Sequence, residues 1–298
     1  MEDDGPGGGP LHRFGGEWTR RKLEVLAKYL DAYARALKNQ PFQTAYIDAF
    51  AGSGYRVEAG SEQAERVMFP DLAEHEPQAL LDGSARLALQ AELGFSRYLF
   101  IERDRERCAQ LELLRAEFPE RSTQIDIIRG DANQEIRRLC AKDWRGRRAV
   151  MFLDPYGMQV EWSAVEAIAR TKSVDLWLLF PLGIGINRLL PSSGEIPDGW
   201  RRRIDRFLGS DDWYDEFYRV EPVLTLFGVE EELVKAGMDV IGRYFVRRLE
   251  TVFEGVAEPG VLRNSSGCPL YLLCFAAANP AGKQPALRIA RSLLRDLR

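Results

Sequence analysis

The run AYIDAFAGSGYR, residues 45–56, turns from apolar to nearly bare within a few positions. Ala45, Tyr46 and Ile47 have strand character, Asp48 ends the run, and Gly52, Ser53 and Gly54 follow. A glycine turn at a strand end lets backbone amides approach a ligand. An acidic residue at the end of the next strand can then accept both hydroxyls of a ribose. The remainder of the chain decides whether such a strand order exists.

Five short apolar, partly β-branched runs lie in sequence: TAYIDAF, SRYLFIE, TQIDIIRG, RRAVMFLD and VDLWLLF. Polar turn residues and, mostly, a helical pattern follow each one, which predicts a parallel sheet wrapped by helices. Ahead of them, Leu23, Leu26, Leu30, Tyr33 and Leu37 repeat at the spacing of one helical face, before Asn39 and Pro41 stop the helix. Asp131 with Gln134, and Ser163 with Glu166, have capping-box spacing at two helix starts. Near the end, VFEGVAEPGVLRN and PLYLLCFAAANP are joined by the short turn SSGC, which is hairpin chemistry. The expectation is therefore an α/β, Rossmann-like fold: seven strands, mostly parallel, with an antiparallel last strand and a helical insertion. That hairpin separates it from the all-parallel dinucleotide-binding fold of nicotinamide oxidoreductases, which the lack of any histidine in the cleft motifs also disfavours.

The domain reading follows these elements. Residues 1–15, beginning MEDDGPGGGP, are expected to be a disordered leader. Residues 16–182 form the core, interrupted by a lid-like insertion at 57–82. Residues 183–250 are read as a helical insertion too long for a plain crossover. Residues 251–298 supply the hairpin and a helix that complete the core.

Composition narrows the function classes. The chain has 298 residues, 45% of them hydrophobic, and a net charge of -4, which excludes a uniformly basic nucleic-acid binder. There are 34 arginines against 7 lysines. Codon bias explains that ratio, and so does phosphate recognition, for which arginine's planar fork is suited. Arg145, Arg147 and Arg148, Arg201 to Arg203, and Arg243, Arg247 and Arg248 are candidates for a phosphate track. Four cysteines without a CxxC pair and only two histidines give no support to metal ligation. The apolar stretches are too short or too broken to span a bilayer, and no basic-then-apolar signal opens the chain. A cytoplasmic protein without membrane association is expected.

In an open α/β sheet the ligand sits outside the carboxyl ends of the strands. Asp48 and the Gly52-Ser53-Gly54 turn end the first strand, Glu102 the second, and Asp154, in FLDPYG, the fourth; Asp131 follows the third. Taken singly, these read equally as a tight turn, a solvated strand end or a helix cap. In register at one sheet edge they describe a nucleoside pocket, with Asp131 placed to accept from an adenine amine. PLGIGINR, after the fifth strand, adds Asn187 and Arg188 as substrate contacts. Trp200, Trp213, Tyr214 and Tyr218 read as core of a helical lobe before they read as a base platform.

YIDAFAGSG, FIERD, GDAN and FLDPYGMQVEW, in this order, resemble the successive motifs of class I S-adenosylmethionine-dependent methyltransferases. From about residue 14 onward the chain more specifically resembles the three-Cys-motif partner protein family, through strings such as DGSARLAL, WRGRRAVMFLDPYGMQVEW, LWLLFPLGIGINRLL and LRNSSGCPLYLLCFAAANP. The resemblance implies S-adenosylmethionine as cofactor and a genomic neighbour carrying a three-cysteine, radical-SAM-like motif. It also implies that Asp48 and the turn Ala49, Phe50, Gly52, Ser53 and Gly54 face the methionine moiety. Glu102, with Arg103, would face the ribose, and Asp131, with Ala132, the adenine. Gly54 and Glu102 are 48 positions apart, against roughly 20 in a standard unit; the 57–82 insertion accounts for the excess.

DPYG resembles the tetrapeptide of amino-directed nucleic-acid methyltransferases. By that resemblance Asp154, Pro155 and Tyr156 are the catalytic group: Asp154 accepts a hydrogen bond from the amine and Tyr156 stacks on the base. The expected activity is methylation of an exocyclic amine of a nucleic-acid base, in RNA or DNA. The alternative is a non-catalytic binding partner of the three-Cys-motif protein.

Overall fold

The computed structural model describes residues 17–52, 83–225 and 228–297. The expected leader, the lid-like insertion at 57–82, and the site residues Ser53 and Gly54 lie outside the described residues.

Five parallel strands appear where the apolar runs place them: β1 (Gln43–Asp48), β2 (Arg97–Glu102), β3 (Ile125–Arg129), β4 (Arg147–Leu153) and β5 (Val174–Phe180). Every residue of β5 and the last five of β4 are buried, so these central strands are apolar on both faces rather than alternating. The helices are α1 (Glu17–Leu37), α2 (Ser84–Gln90), α3 (Arg105–Glu117), α4 (Ala132–Cys140), α5 (Trp162–Arg170), α6 (Asp198–Leu208), α7 (Trp213–Phe217), α8 (Met238–Glu250) and α9 (Lys283–Leu294). None is long and apolar enough to cross a membrane.

The C-terminal segment closes the sheet as the hairpin requires. β10 (Pro269–Ala277) runs antiparallel to β5 and pairs on its other side with β8 (Gly255–Val256) and β9 (Gly260–Arg263). β8 and β9 are two parts of one edge strand. Leu273 pairs with Gly260 and Ala276 with Val256, so three residues face two across the gap, and Pro259, which has no N–H to give the ladder, lies in it. At the turn, Asn264 Oδ1 accepts from the amides of Ser266 (3.1 Å) and Cys268 (2.8 Å). The sheet order is 3-2-1-4-5-10-8. Five parallel strands, then an antiparallel strand inserted before a last parallel one, is the Rossmann-like arrangement of class I methyltransferases.

Three details depart from the sequence reading. The 183–250 segment is not mostly helical: β6 (Tyr218–Thr225) and β7 (Gly228–Lys235) form a separate two-stranded antiparallel sheet. Pro222 bars a helix there, and Val220, Leu224 and Val229 remain largely exposed on the hairpin. The last helix of that segment, α8, belongs to the core. Its Ile241, Phe245 and Leu249 are buried at helical spacing, and the Phe245 ring stacks on Phe180 of β5 at 4.1 Å. Third, α5 is not capped by Ser163: it starts at Trp162 with Glu161 as N-cap and no side-chain cap. The Asp131 cap does form, accepting from the Gln134 amide at 3.0 Å.

α6 is tied to the core through its C-terminus. It ends at Gly209 in the left-handed region (φ 69°), where the chain presses against the Trp162 ring. Arg248 of α8 stacks over the same ring at 4.7 Å and donates to the carbonyls of Leu208 and Gly209, both at 3.1 Å. A Cβ at residue 209 would lie 2.1 Å from Trp162 ring carbons. Gly209→Ala is therefore expected to destabilise the protein by about 3 kcal/mol, from overpacking and a disfavoured φ together, read as a lower urea midpoint.

Candidate functional site

The carboxyl edge of the sheet gathers the acidic residues by register. Asp48 is level with Phe100 of β2 and Phe152 of β4. Glu102, level with Arg129, lies two residues beyond Phe100, and Asp154 two beyond Phe152. Asp131 stands two residues past Arg129, at the start of α4. Each carboxylate meets a different environment.

Asp48 is fully buried. Its Oδ1 accepts from the Phe50 amide (3.3 Å), its Oδ2 from the Tyr46 hydroxyl (3.2 Å), and the Ser84 hydroxyl of α2 bonds it as well. It thus shapes the turn that follows it. Burial pushes its carboxyl up to about 7 against the three hydrogen bonds, and the neighbouring Asp154 pushes the same way. The backbone of the turn is laced to both flanking strands: the Ala49 amide donates to Phe152 O (3.2 Å) and the Ala51 amide to Ile101 O (3.1 Å).

Gly52 then adopts φ 135°. A Cβ there would sit 3.3 Å from Arg107 Cβ and 3.3 Å from Glu102 Oε2. The close approach that demands glycine is thus, in part, the end of the neighbouring strand itself. Glu102 is buried, its Oε1 accepting from the Asp104 amide at 2.8 Å with Arg107 Nη1 at 3.8 Å, and burial raises its carboxyl above the usual range. Oε2 stays beside the bare Gly52, where a Cβ would otherwise intrude. Arg103 is exposed, and its backbone amide, rather than its side chain, bonds Glu102. Asp131 is exposed with one oxygen spent on its helix cap, and Ala132 beside it is buried.

Asp154 is half-buried, Pro155 buried, and Tyr156 half-buried against the core. The loop that carries them is held by a residue the sequence reading missed. Asn133, buried in α4, donates from Nδ2 to Gln159 O (2.8 Å), while its Oδ1 accepts from the Glu161 amide (2.8 Å). A second missed residue is Lys22 of α1, which is 2% exposed and donates from Nζ to Asp154 Oδ2. Its signal was available: a lysine on the buried stripe Trp18, Lys22, Val25 and Tyr29. Asn133 had none beyond its place next to a cap.

Other expected features disperse. Asn187 and Arg188 do lie past β5, in a short 3-10 turn; Asn187 O accepts from Lys235 Nζ at 2.8 Å, tying the β6–β7 hairpin to that loop. Of the arginine clusters, the one at 145–148 lies away from this edge. Arg147 and Arg148 begin β4, at the opposite end of the sheet, with Arg148 over the Phe42 ring at 4.1 Å and Arg145 held by Asp143. Arg201 lies over the rings of Trp213 and Tyr214, Arg243 pairs with Asp239, Arg247 with Glu216, and Arg248 caps α6. Trp213 and Tyr218 are buried and Trp200 and Tyr214 partly so, as members of a packed lobe.

No family model matches the chain, and no curated protein matches it in sequence. Solved structures do resemble it. A Legionella pneumophila protein of the family DUF519 shares 11% identity over 96% of this chain and 94% of its own, with a TM-score of 0.44. Spermidine synthase from Thermotoga maritima shares 10% over 89% of this chain and 61% of its own, at 0.41. A Listeria monocytogenes protein described as a putative S-adenosylmethionine dependent methyltransferase shares 10% over 85% and 97%, at 0.36. At those identities and scores the likenesses carry no weight for activity. The class is set by the strand order of this chain: a class I methyltransferase-like fold.

A pH dependence follows from the buried carboxyls. Asp48 and Asp175, the latter also pushed up to about 7 by burial, hold protons more tightly in the folded chain than in the unfolded one. Their stabilising contribution is full below about pH 4, declines as pH rises, and is lost above about 7. Urea midpoints should fall between pH 4.5 and 8, and Asp48→Asn or Asp175→Asn should reduce that fall and resist urea better than the parent at pH 8. A steeper fall in both variants would contradict this account.

Proposed function

We propose that the protein is an S-adenosylmethionine-dependent methyltransferase that modifies an exocyclic amine of a nucleic-acid base. The observation that carries this reading is Asp154 of the DPYG loop, partly accessible at the carboxyl end of β4 and electrostatically coupled to Asp48 of β1. Glu102 and Asp131 would hold the ribose and adenine of the cofactor, with Gly52 leaving room beside Glu102. When bound, the cofactor would supply an electrophilic methyl group to the amine nitrogen, which would give up one N–H proton to water. Asp154 orients the amine through a hydrogen bond and stabilises the positive charge developing on nitrogen. Tyr156 stacks on a base that is single-stranded or extruded.

The arginine clusters lend the nucleic-acid assignment no support, so it rests on DPYG and on the resemblance to amino-directed enzymes. The same reading takes the chain, on its sequence resemblance, as a three-Cys-motif partner protein whose genomic neighbour carries the three-cysteine motif. One observation favours a second reading, a binding subunit of that neighbour: the hairpin carries Val220, Leu224 and Val229 at 61%, 82% and 69% exposure.

Calorimetry should detect S-adenosylmethionine binding, weakened at least ~10-fold in Glu102→Ala by loss of charge-assisted hydrogen bonds. With labelled cofactor and total cellular RNA or DNA, the parent should transfer methyl groups. Asp154→Ala should lose at least ~100-fold in rate while binding cofactor normally. Cofactor binding without transfer to either nucleic acid would defeat the substrate assignment. For the second reading, the triple change Val220→Asp, Leu224→Asp and Val229→Asp should abolish co-purification with a co-expressed three-Cys-motif neighbour, and Asp154→Ala should not.

A further inference from the structure

The most unusual group in the described structure is the buried lysine of α1. Lys22 and Asp154 are separated by 132 positions and meet with side-chain exposures of 3% and 20%. The Trp18 ring lies 5.2 Å from Nζ, and Trp18 itself packs on Tyr271 of β10 at 4.8 Å. Burying an ammonium is costly, and an apolar side chain of similar volume at such a position is often at least as stable. Stability of α1 does not require it, since Val25, Leu26, Tyr29, Leu30 and Tyr33 already anchor the helix.

We propose that Lys22 is a positioning residue for methyl transfer: it holds Asp154 by Oδ2 and so presents Oδ1 toward the amine of the substrate. This inference rests on the methyltransferase reading above. Three constraints converge on the one carboxylate. Pro155 limits the backbone just after it, Asn133 clamps the loop at Gln159 and Glu161, and Lys22 removes the remaining rotation about the side chain. The charge matters too. Asp154 acts electrostatically on the buried Asp48 and on the Tyr46 hydroxyl, and Lys22 brings a cation to this patch. The N-terminal helix, which precedes every strand, thereby contributes a residue to the site.

A double-mutant cycle tests this. Lys22→Met in an otherwise unchanged protein should lower kcat at least ~10-fold with KM and cofactor affinity within about threefold, the pattern of a misplaced reacting group. Lys22→Arg, which keeps the charge and its donors, should recover part of the rate. An Asp154→Asn background leaves the Lys22 ammonium buried without a carboxylate, so Lys22→Met there has no reacting group left to misplace and should cost less than about twofold in kcat. A second readout needs no turnover: with isotope-labelled lysine, the slowly exchanging Nζ–H signal of Lys22 should be present in the parent and lost in Asp154→Asn. Equal cost of Lys22→Met in both backgrounds, or an unchanged kcat in folded Lys22→Met, would overturn the proposal and leave the methyltransferase reading standing. Absence of any transfer by the parent would defeat both, whatever the Nζ–H signal shows.

Discussion

Carboxyl groups concentrated at one edge of a buried parallel sheet are the constraint on which the rest of this architecture turns. Asp48, Glu102, Asp131 and Asp154 all end or follow strands there, and water solvates only Asp131 freely. Each of the others needs an internal partner. Asp48 takes the Tyr46 and Ser84 hydroxyls and the Phe50 amide; Glu102 takes the Asp104 amide and lies close to Arg107; Asp154 takes Lys22. These partners come from β1 and the turn after it, from α2, from α3 and its N-cap, and from α1. Satisfying these groups therefore fixes how the helices around the edge are docked.

Arginine works here mainly as a structural donor: Arg248 closes the C-terminus of α6, Arg121 donates to the carbonyl of Ala91 at 2.9 Å, and Arg137 joins Glu161 at 2.7 Å. A planar fork that satisfies two carbonyls at once suits helix ends and loop junctions as well as phosphates. A cluster of arginines in sequence says nothing about which of these uses applies.

Much of the fold was legible because its signals are local. Central strands buried on both faces show as unbroken apolar runs, and the turn Asn264 to Cys268 shows as polar, glycine-containing chemistry between two such runs. The β6–β7 hairpin was not legible. Its strands mix Glu230, Glu231 and Glu232 with scattered valines and bury little, so no period dominates. The site was half legible. Asp48, Glu102, Asp131 and Asp154 announce themselves as acids at strand ends and Lys22 as a lysine on the apolar stripe of α1, but nothing in the sequence pairs Lys22 with Asp154, and Asn133 looks like an ordinary polar residue beside a helix cap.

Sequence alone determined the order of strands, the antiparallel final strand and the acids at one edge, because apolar periodicity and turn chemistry act between near neighbours. Only the tertiary structure decided what each acid touches. Gly52 sits beneath Glu102 because β1 and β2 are adjacent, and Lys22 reaches Asp154 because α1 packs along the sheet with Tyr29 against Trp177 and Phe275. Contacts of that kind depend on which elements become neighbours, and no spacing along the chain encodes a partner 132 residues away.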